Sequence, residues 1–150
     1  MDHPTSGRIE DRAHLFPVRI YYEDTDFSGA VYHANYLKFF ERSRSEFLRL
    51  AGIGHKALLE RPEPLAFAVT KLNIEYRASA KIDDSLIVRT RFLSARGARM
   101  GLDQALLRDG TLICRAAVEI VCIGAGGGGA RRLPKEIVDA LAPYLSAPDI

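Results

Sequence analysis

An α+β fold, one long helix set against an antiparallel sheet, is the architecture this sequence predicts. Three observations carry it. An aromatic-rich stretch with helical spacing follows the first strand-like segment, and at least four alternating segments joined by short turns come after it. Helix and strand patterns stay segregated, whereas parallel α/β chains alternate them. At 150 residues the chain is the size of one domain with one core.

Residues 1–15 are polar, with Pro4 and Gly7, and read as a flexible N-terminal arm. The domain then spans 16–145, with a short tail at 146–150. "PVRIYYE" (17–23) is rich in β-branched and aromatic residues and predicts the first strand; "DTDFSGAV" breaks the pattern as loops do. From Ala34, the residues Tyr36, Phe39, Phe40, Ser43, Phe47 and Leu50 recur at spacings of three and four, with Glu41, Arg42, Arg44, Glu46 and Arg49 between them. That is a helix pressed against something broad, stopped by Gly52 and Gly54.

Residues 65–78 and 84–95 alternate as strands. Residues 98–110 have an ambiguous middle; Asp109-Gly110, suited to a type I′ hairpin turn, decides for strand. In 111–123, Leu112, Cys114, Ala116, Val118, Ile120 and Cys122 share one face. The two cysteines, eight residues apart in one strand, would be separated by about 26 Å and cannot bridge. "GAGGGGA" (124–130) is a solvated loop, and Pro134 opens a short helix with Ile137, Val138 and Leu141 inward. An antiparallel sheet of this kind leaves an edge strand open to pairing with a second copy.

Apolar content of 47% and charged content of 27% are those of a globular chain. A net charge of +2 gives no basic surplus for nucleic acid, and no apolar run nears the roughly 18 residues a membrane helix needs. The N-terminal stretch lacks the basic and apolar regions of a secretory signal, so the expected location is the cytoplasm.

The chemistry concentrates in "EDTDFSGAVYHANY" (23–36). Amides in the first turn of a helix lack partners and carry the positive end of its dipole, so a helix starting near 33–35 offers donors to a carbonyl or oxyanion. Asp26, seven residues before His33, is a candidate nucleophile or general base for an acyl carbon placed there. Gly29 lets the backbone approach closely. Asp24 reads as a brace for the loop, and Glu23 as the end of the strand. No G-x-S-x-G elbow, paired Cys/His nucleophile or compact metal set occurs. A carboxylate working without metal or other cofactor is the simplest hydrolytic engine.

"YYEDTDFSGAVYHANYLKFFERSRSEFLR" (21–49) resembles the signature of the hotdog-fold acyl-CoA thioesterases, and most closely the Tol-Pal-associated branch of the 4-hydroxybenzoyl-CoA thioesterase-like group. Asp24, Thr25, Asp26, Gly29, Val31, Tyr32, His33, Tyr36, Glu41 and Arg42 match that branch, and the likeness extends over 17–142. It implies a curved antiparallel sheet wrapped around one long central helix. It also implies a homodimer or homotetramer with active sites at subunit interfaces, and an acyl-CoA substrate. Asp26 then maps onto the catalytic carboxylate, and the backbone of His33 onto the helix-terminal amide. The His33 side chain is a further candidate, for orienting water or thioester.

Gly29 and Tyr32 would line the substrate site, and Arg96, Arg99, Arg131 and Arg132 stand where relatives carry basic residues for CoA phosphates. Glu41 would face the acyl pocket or pair on the surface with Arg44 or Ser45. The chain departs from the pattern at Phe27-Ser28, where relatives often have small residues, and at Gly126–129. Two other readings are a non-catalytic partner of a cell-envelope complex, binding acyl-CoA or acyl carrier protein, and a hotdog hydratase or dehydratase. Thiol release separates hydrolysis from both.

Overall fold

A computed structural model describes residues 2–146. The elements run β1 (Arg8–Glu10), β2 (Ala13–Arg19), α1 (Asn35–Leu50), α2 (His55–Leu59), β3 (Leu65–Tyr76), β4 (Ser85–Arg96), β5 (Arg99–Arg108), β6 (Thr111–Gly124) and α3 (Lys135–Leu141). Six strands form one antiparallel sheet in the order β1-β2-β4-β5-β6-β3. β3 and β1 are therefore its edges.

Two expectations need correcting. The arm predicted for 1–15 becomes strand from Arg8 onward. Asp11 and Arg12 both adopt left-handed φ (49° and 68°) and fold β1 back on β2, a tight turn made without the glycine that usually marks one. The first long strand lies at Ala13–Arg19, earlier than 17–23, because the chain coils into a 3₁₀ turn at Tyr22–Asp24. Pro17 is tolerated within β2 because β1 pairs only as far as Leu15, leaving β4 as its one neighbour. The short helix α2, hidden between Gly54 and the following turn, had no periodic signal to announce it. Of the expected tail, Ser146 is held by its amide donating to the Phe92 carbonyl (2.8 Å); 147–150 lie outside the described residues.

The helix periodicity is reproduced at Tyr36, Phe39, Phe40, Ser43 and Phe47, but at the last turn Leu48 is buried in place of the expected Leu50, which is exposed at the helix end. Each aromatic ring removed from water contributes about 1.5–3 kcal/mol, so this face anchors α1. The β5–β6 turn has Asp109 and Gly110 at φ 50° and 81°, as a type I′ turn requires. Cys114 and Cys122 are free and buried; burial pushes the Cys114 thiol up to about 12.

Beneath α1 lies one polar chain. His14, wholly buried, is flanked by the Phe16 and Phe47 rings (centroids 6.1 and 5.4 Å). Its Nε2 is 2.6 Å from the Ser6 carbonyl, which can only accept, so Nε2 carries the proton. Nδ1 is then an acceptor for the Ser43 hydroxyl (3.5 Å), which accepts in turn from Thr90 (3.1 Å). Gln104 Nε2 donates to Thr90 Oγ1 (2.9 Å) and to the Phe40 carbonyl (3.0 Å), and Gln104 Oε1 accepts from Arg44 (3.0 Å).

Burial lowers the His14 pKa, outweighing the Ser6 bond and the field of Glu46. The unfolded chain then binds this proton more readily than the folded one. Stability should be fully present above about pH 6.5 and decline as pH falls from there through the lowered folded value. His14→Phe should flatten that slope in urea titrations across the range.

Candidate active site

The acidic loop is built on backbone bonds. Ile20 exchanges hydrogen bonds with the β3–β4 connection, its amide donating to the Asp84 carbonyl (2.9 Å) and its carbonyl accepting from Asp83 (2.9 Å). After the 3₁₀ turn, Thr25 and Val31 form an antiparallel bridge, and Asp26 donates its amide to the Ala30 carbonyl (2.9 Å). The tip is thus a tight loop of 26–30, with Asp26 at its base. It docks where Val31 donates to Ala80 (2.9 Å) and Ile82 donates to Gly29 (3.2 Å). Asp84 stiffens that platform by accepting from the Lys81 amide and from Arg108, both at 2.9 Å.

Asp24 braces. Its Oδ2 accepts the Tyr21 amide (2.8 Å), while its carbonyl accepts from the Tyr32 amide (3.1 Å) and from Asn35 Nδ2 (2.8 Å). Asn35 is the first residue of α1, so one peptide group ties the loop to the helix start. Among the described residues, the amides of His33 and Ala34 meet no acceptor. The ring of His33 is exposed and lies 4.5 Å from that of Tyr32; its carbonyl accepts from the Tyr76 hydroxyl of β3 (3.0 Å).

Asp26 is exposed, and both of its hydrogen bonds fall on Oδ1: from the Ser28 amide (2.8 Å) and the Ser28 hydroxyl (2.5 Å). These bonds hold its carboxyl below the usual aspartate range, the hydroxyl contributing most. Among the described residues Oδ2 accepts no hydrogen bond. Ser28 was missed in the sequence, although an Asp followed two residues later by Ser is the pattern of a local side-chain turn. Phe27 is fully exposed and narrows nothing within this chain. Gly29 is present for a different reason than close approach: a Cβ there would meet open space, but φ is +84°.

The arginines fall elsewhere. Arg96 and Arg99 face each other across the β4–β5 turn, and Arg99 pairs with Glu119 (2.6 Å). Segment 131–133 bonds to the same corner, Leu133 donating to the Gly97 carbonyl (2.7 Å) and Arg131 to the Cys122 carbonyl (2.8 Å). The glycine loop is more ordered than a solvated linker: it curls around the Arg131 guanidinium, which donates to the Gly129 and Ala130 carbonyls (3.1 and 3.3 Å). Arg131 and Arg132 line a cleft of about 760 Å³ together with Lys135 and Arg61, whose partner is Glu136 (2.7 Å). All four predicted arginines are thereby gathered at one corner. It lies eleven residues along β4 from the end that meets the acidic loop, roughly 36 Å away.

Glu41 is exposed and lines a smaller cavity with Arg44 and Ser45, where Ser45 Oγ is 3.0 Å from His55 Nε2. Burial disfavours the charge on Arg44, which Glu41 opposes only through space. Among the described residues no cluster of three or more His, Cys, Asp or Glu could hold a metal ion, and no helix is long and apolar enough to cross a membrane.

A carboxylate on a braced loop tied to the start of a helix is an arrangement suited to acyl transfer. Residues 21–141 match the thioesterase-like superfamily, and the chain belongs to that family. It is 43% identical over 127 residues to the acyl-CoA thioesterase YbgC of Haemophilus influenzae, covering 85% of this chain and 93% of that one. Identity is also 43% to the acyl-CoA thioester hydrolase YbgC of Escherichia coli, over 82% and 91% of the two chains. A probable thioesterase from Bartonella henselae superposes with a TM-score of 0.78 at 44% identity, over 81% of this chain and 99% of that one.

Replacing Asp24 by Ala removes the acceptor for the Tyr21 amide. The change should cost about 1 kcal/mol in denaturant unfolding and speed amide exchange at Tyr21.

Proposed function

We infer that this chain hydrolyses acyl-CoA thioesters to the free acid and CoA, with Asp26 as nucleophile or general base. The observation that carries the reading is the tie through Asp24: one carbonyl bonded to both Tyr32 and Asn35 holds the Asp26 loop and the first amides of α1 as a unit. A thioester carbonyl at those amides is polarised while Oδ2 of Asp26 attacks the acyl carbon or takes a proton from a water that does. The acyl–sulfur bond breaks, the sulfur leaves as thiolate and gains a proton, and water supplies the oxygen of the product acid. Donors placed for the developing oxyanion are worth about 3–4 kcal/mol in acyl transfer. The exposed His33 ring orients the water or thioester. Gly29 and Tyr32 form the rim.

The functional unit is a homodimer, or a tetramer built from it, with active sites shared between copies. β3 is a twelve-residue edge strand, long enough to pair with its own copy. A two-fold antiparallel pairing of these edges sets the Tyr76 end of one strand beside the Leu65 end of the other. The basic corner of one copy, with Arg96, Arg99, Arg131 and Arg132, then approaches the Asp26 loop of its partner, which the separation within one chain forbids. CoA phosphates are the ligand for that corner, and an acidic acyl carrier protein would suit it too. In such a dimer the sheet curves around α1, whose aromatic face already rests on β2 and β4.

Asp26→Asn should lower kcat by about 10²–10⁴-fold against a panel of acyl-CoAs, followed by thiol release, with oligomer size and unfolding unchanged. Full retention of activity would overturn the mechanism. The active form of Asp26 is the carboxylate, so the rate should fall as pH drops through its lowered pKa. Ser28→Ala removes the stronger of the two donors and should move this acid limb to higher pH.

A further inference from the structure

One strip of α1 lies outside the aromatic face. Positions 37, 41, 44 and 45 share this second face at spacings of three and four, with Ala34 just before the helix start and the buried Leu48 at the far end. Beside this face runs the inner side of β3, where Val69, Leu72 and Tyr76 are 47%, 40% and 45% exposed. Tyr76 is bonded to His33 at one end; Phe67 and Val69 reach the other end, where they meet Glu41, Arg44, Ser45 and His55 around a cavity of about 220 Å³. Exposed apolar side chains of β3 thus run from Tyr76, bonded at the helix start, to this cavity. Arg44 lies about 14 Å along the helix from its first residue.

Arg44 is aimed. Its guanidinium donates to Gln104 Oε1 (3.0 Å), and Gln104 is wholly buried, with its amide nitrogen spent on the Phe40 carbonyl and Thr90 Oγ1. Among the described residues no carboxylate forms an ion pair with Arg44, and Glu41 reaches it only through space. A half-buried cation, held in one orientation and without an ion pair among the described residues, is suited to a carboxylate reaching it along this apolar strip. Ser45 and His55, 3.0 Å apart at the same cavity, add polar groups to it. Glu41 would accept from a hydroxyl, so a hydroxyl-ended chain is the competing fit. Arg44, bonded to Gln104 rather than ion-paired with Glu41, favours the anion, which Glu41 opposes through space.

We propose that this cavity binds a carboxylate at the far end of the acyl group, with Arg44 as the residue that selects it. The substrate class is then CoA monothioesters of dicarboxylic acids, and the proposal rests on the acyl-CoA hydrolase reading above. The test uses the full chain and measures thiol release from three CoA series of matched chain lengths, ended by methyl, hydroxyl or carboxylate. At the best-fitting length, kcat/KM for the carboxylate-ended thioester should exceed that of the methyl-ended one at least tenfold. Arg44→Met should cut this ratio at least tenfold. Arg44→Lys, which keeps the charge and the fold but cannot fork between Gln104 and the ligand, should leave an intermediate ratio, and it decides the question if the Met variant does not fold. Preference for methyl or hydroxyl ends at every length, or a ratio untouched by both variants, overturns the proposal while leaving the hydrolase reading intact. No thiol release from any series overturns both.

Discussion

Burial of one helix face is the constraint on which the rest depends. Phe39, Phe40 and Phe47 are withdrawn from water almost completely, and their positions fix the rotation of α1 about its own axis. Once that rotation is set, the start of the helix must point its amides at the loop that precedes it. The strip containing Arg44 must also turn toward β3. The placement of the candidate site and of the Arg44 cavity both follow from where three rings are buried.

The same burial explains a polar chain beneath the helix. Ser43 lies between the aromatic positions on the inward face, so its hydroxyl must be satisfied internally; Thr90 and His14 supply the partners, and Gln104 bonds to Thr90 in turn. Because Ser6 offers only a carbonyl, the direction of every bond back to Arg44 follows. A residue in the N-terminal segment is thereby connected through hydrogen bonds to Arg44 at a surface cavity.

Electrostatics at the loop work on a smaller scale. Asp26 is exposed, and two bonds from Ser28 lower its pKa, outweighing the smaller opposing effect of desolvation. A stabilised carboxylate is a weaker base and nucleophile, but it is fully ionised across the neutral range. In the proposed mechanism such a group would lean on placement, through the Asp24 brace, and on the amides at the helix start. Within a single chain the basic corner is too distant to hold the other end of the substrate, which is the physical argument for a shared site.

Much of the fold was legible in the sequence because hydrophobic periods report burial directly. The α1 face, the alternation in β6 and the Asp109-Gly110 turn are all local properties of neighbouring residues. So is the D-T-D…Y-H pattern that marked Asp26 and His33, since loop and helix start are contiguous in the chain. The β1–β2 turn at Asp11-Arg12 was not legible, for its left-handed backbone is imposed by strand pairing on residues that carry no turn signature. Nor was the role of Ser28, or the true reason for Gly29. The sequence by itself determined which face of α1 is buried and which carboxylate stands before it. Only the tertiary structure decided that the arginines sit at the opposite end of the sheet from that carboxylate, and that Gln104, sixty residues away, aims Arg44 into a cavity. Those relations depend on strand order and register, which distant parts of the chain settle together.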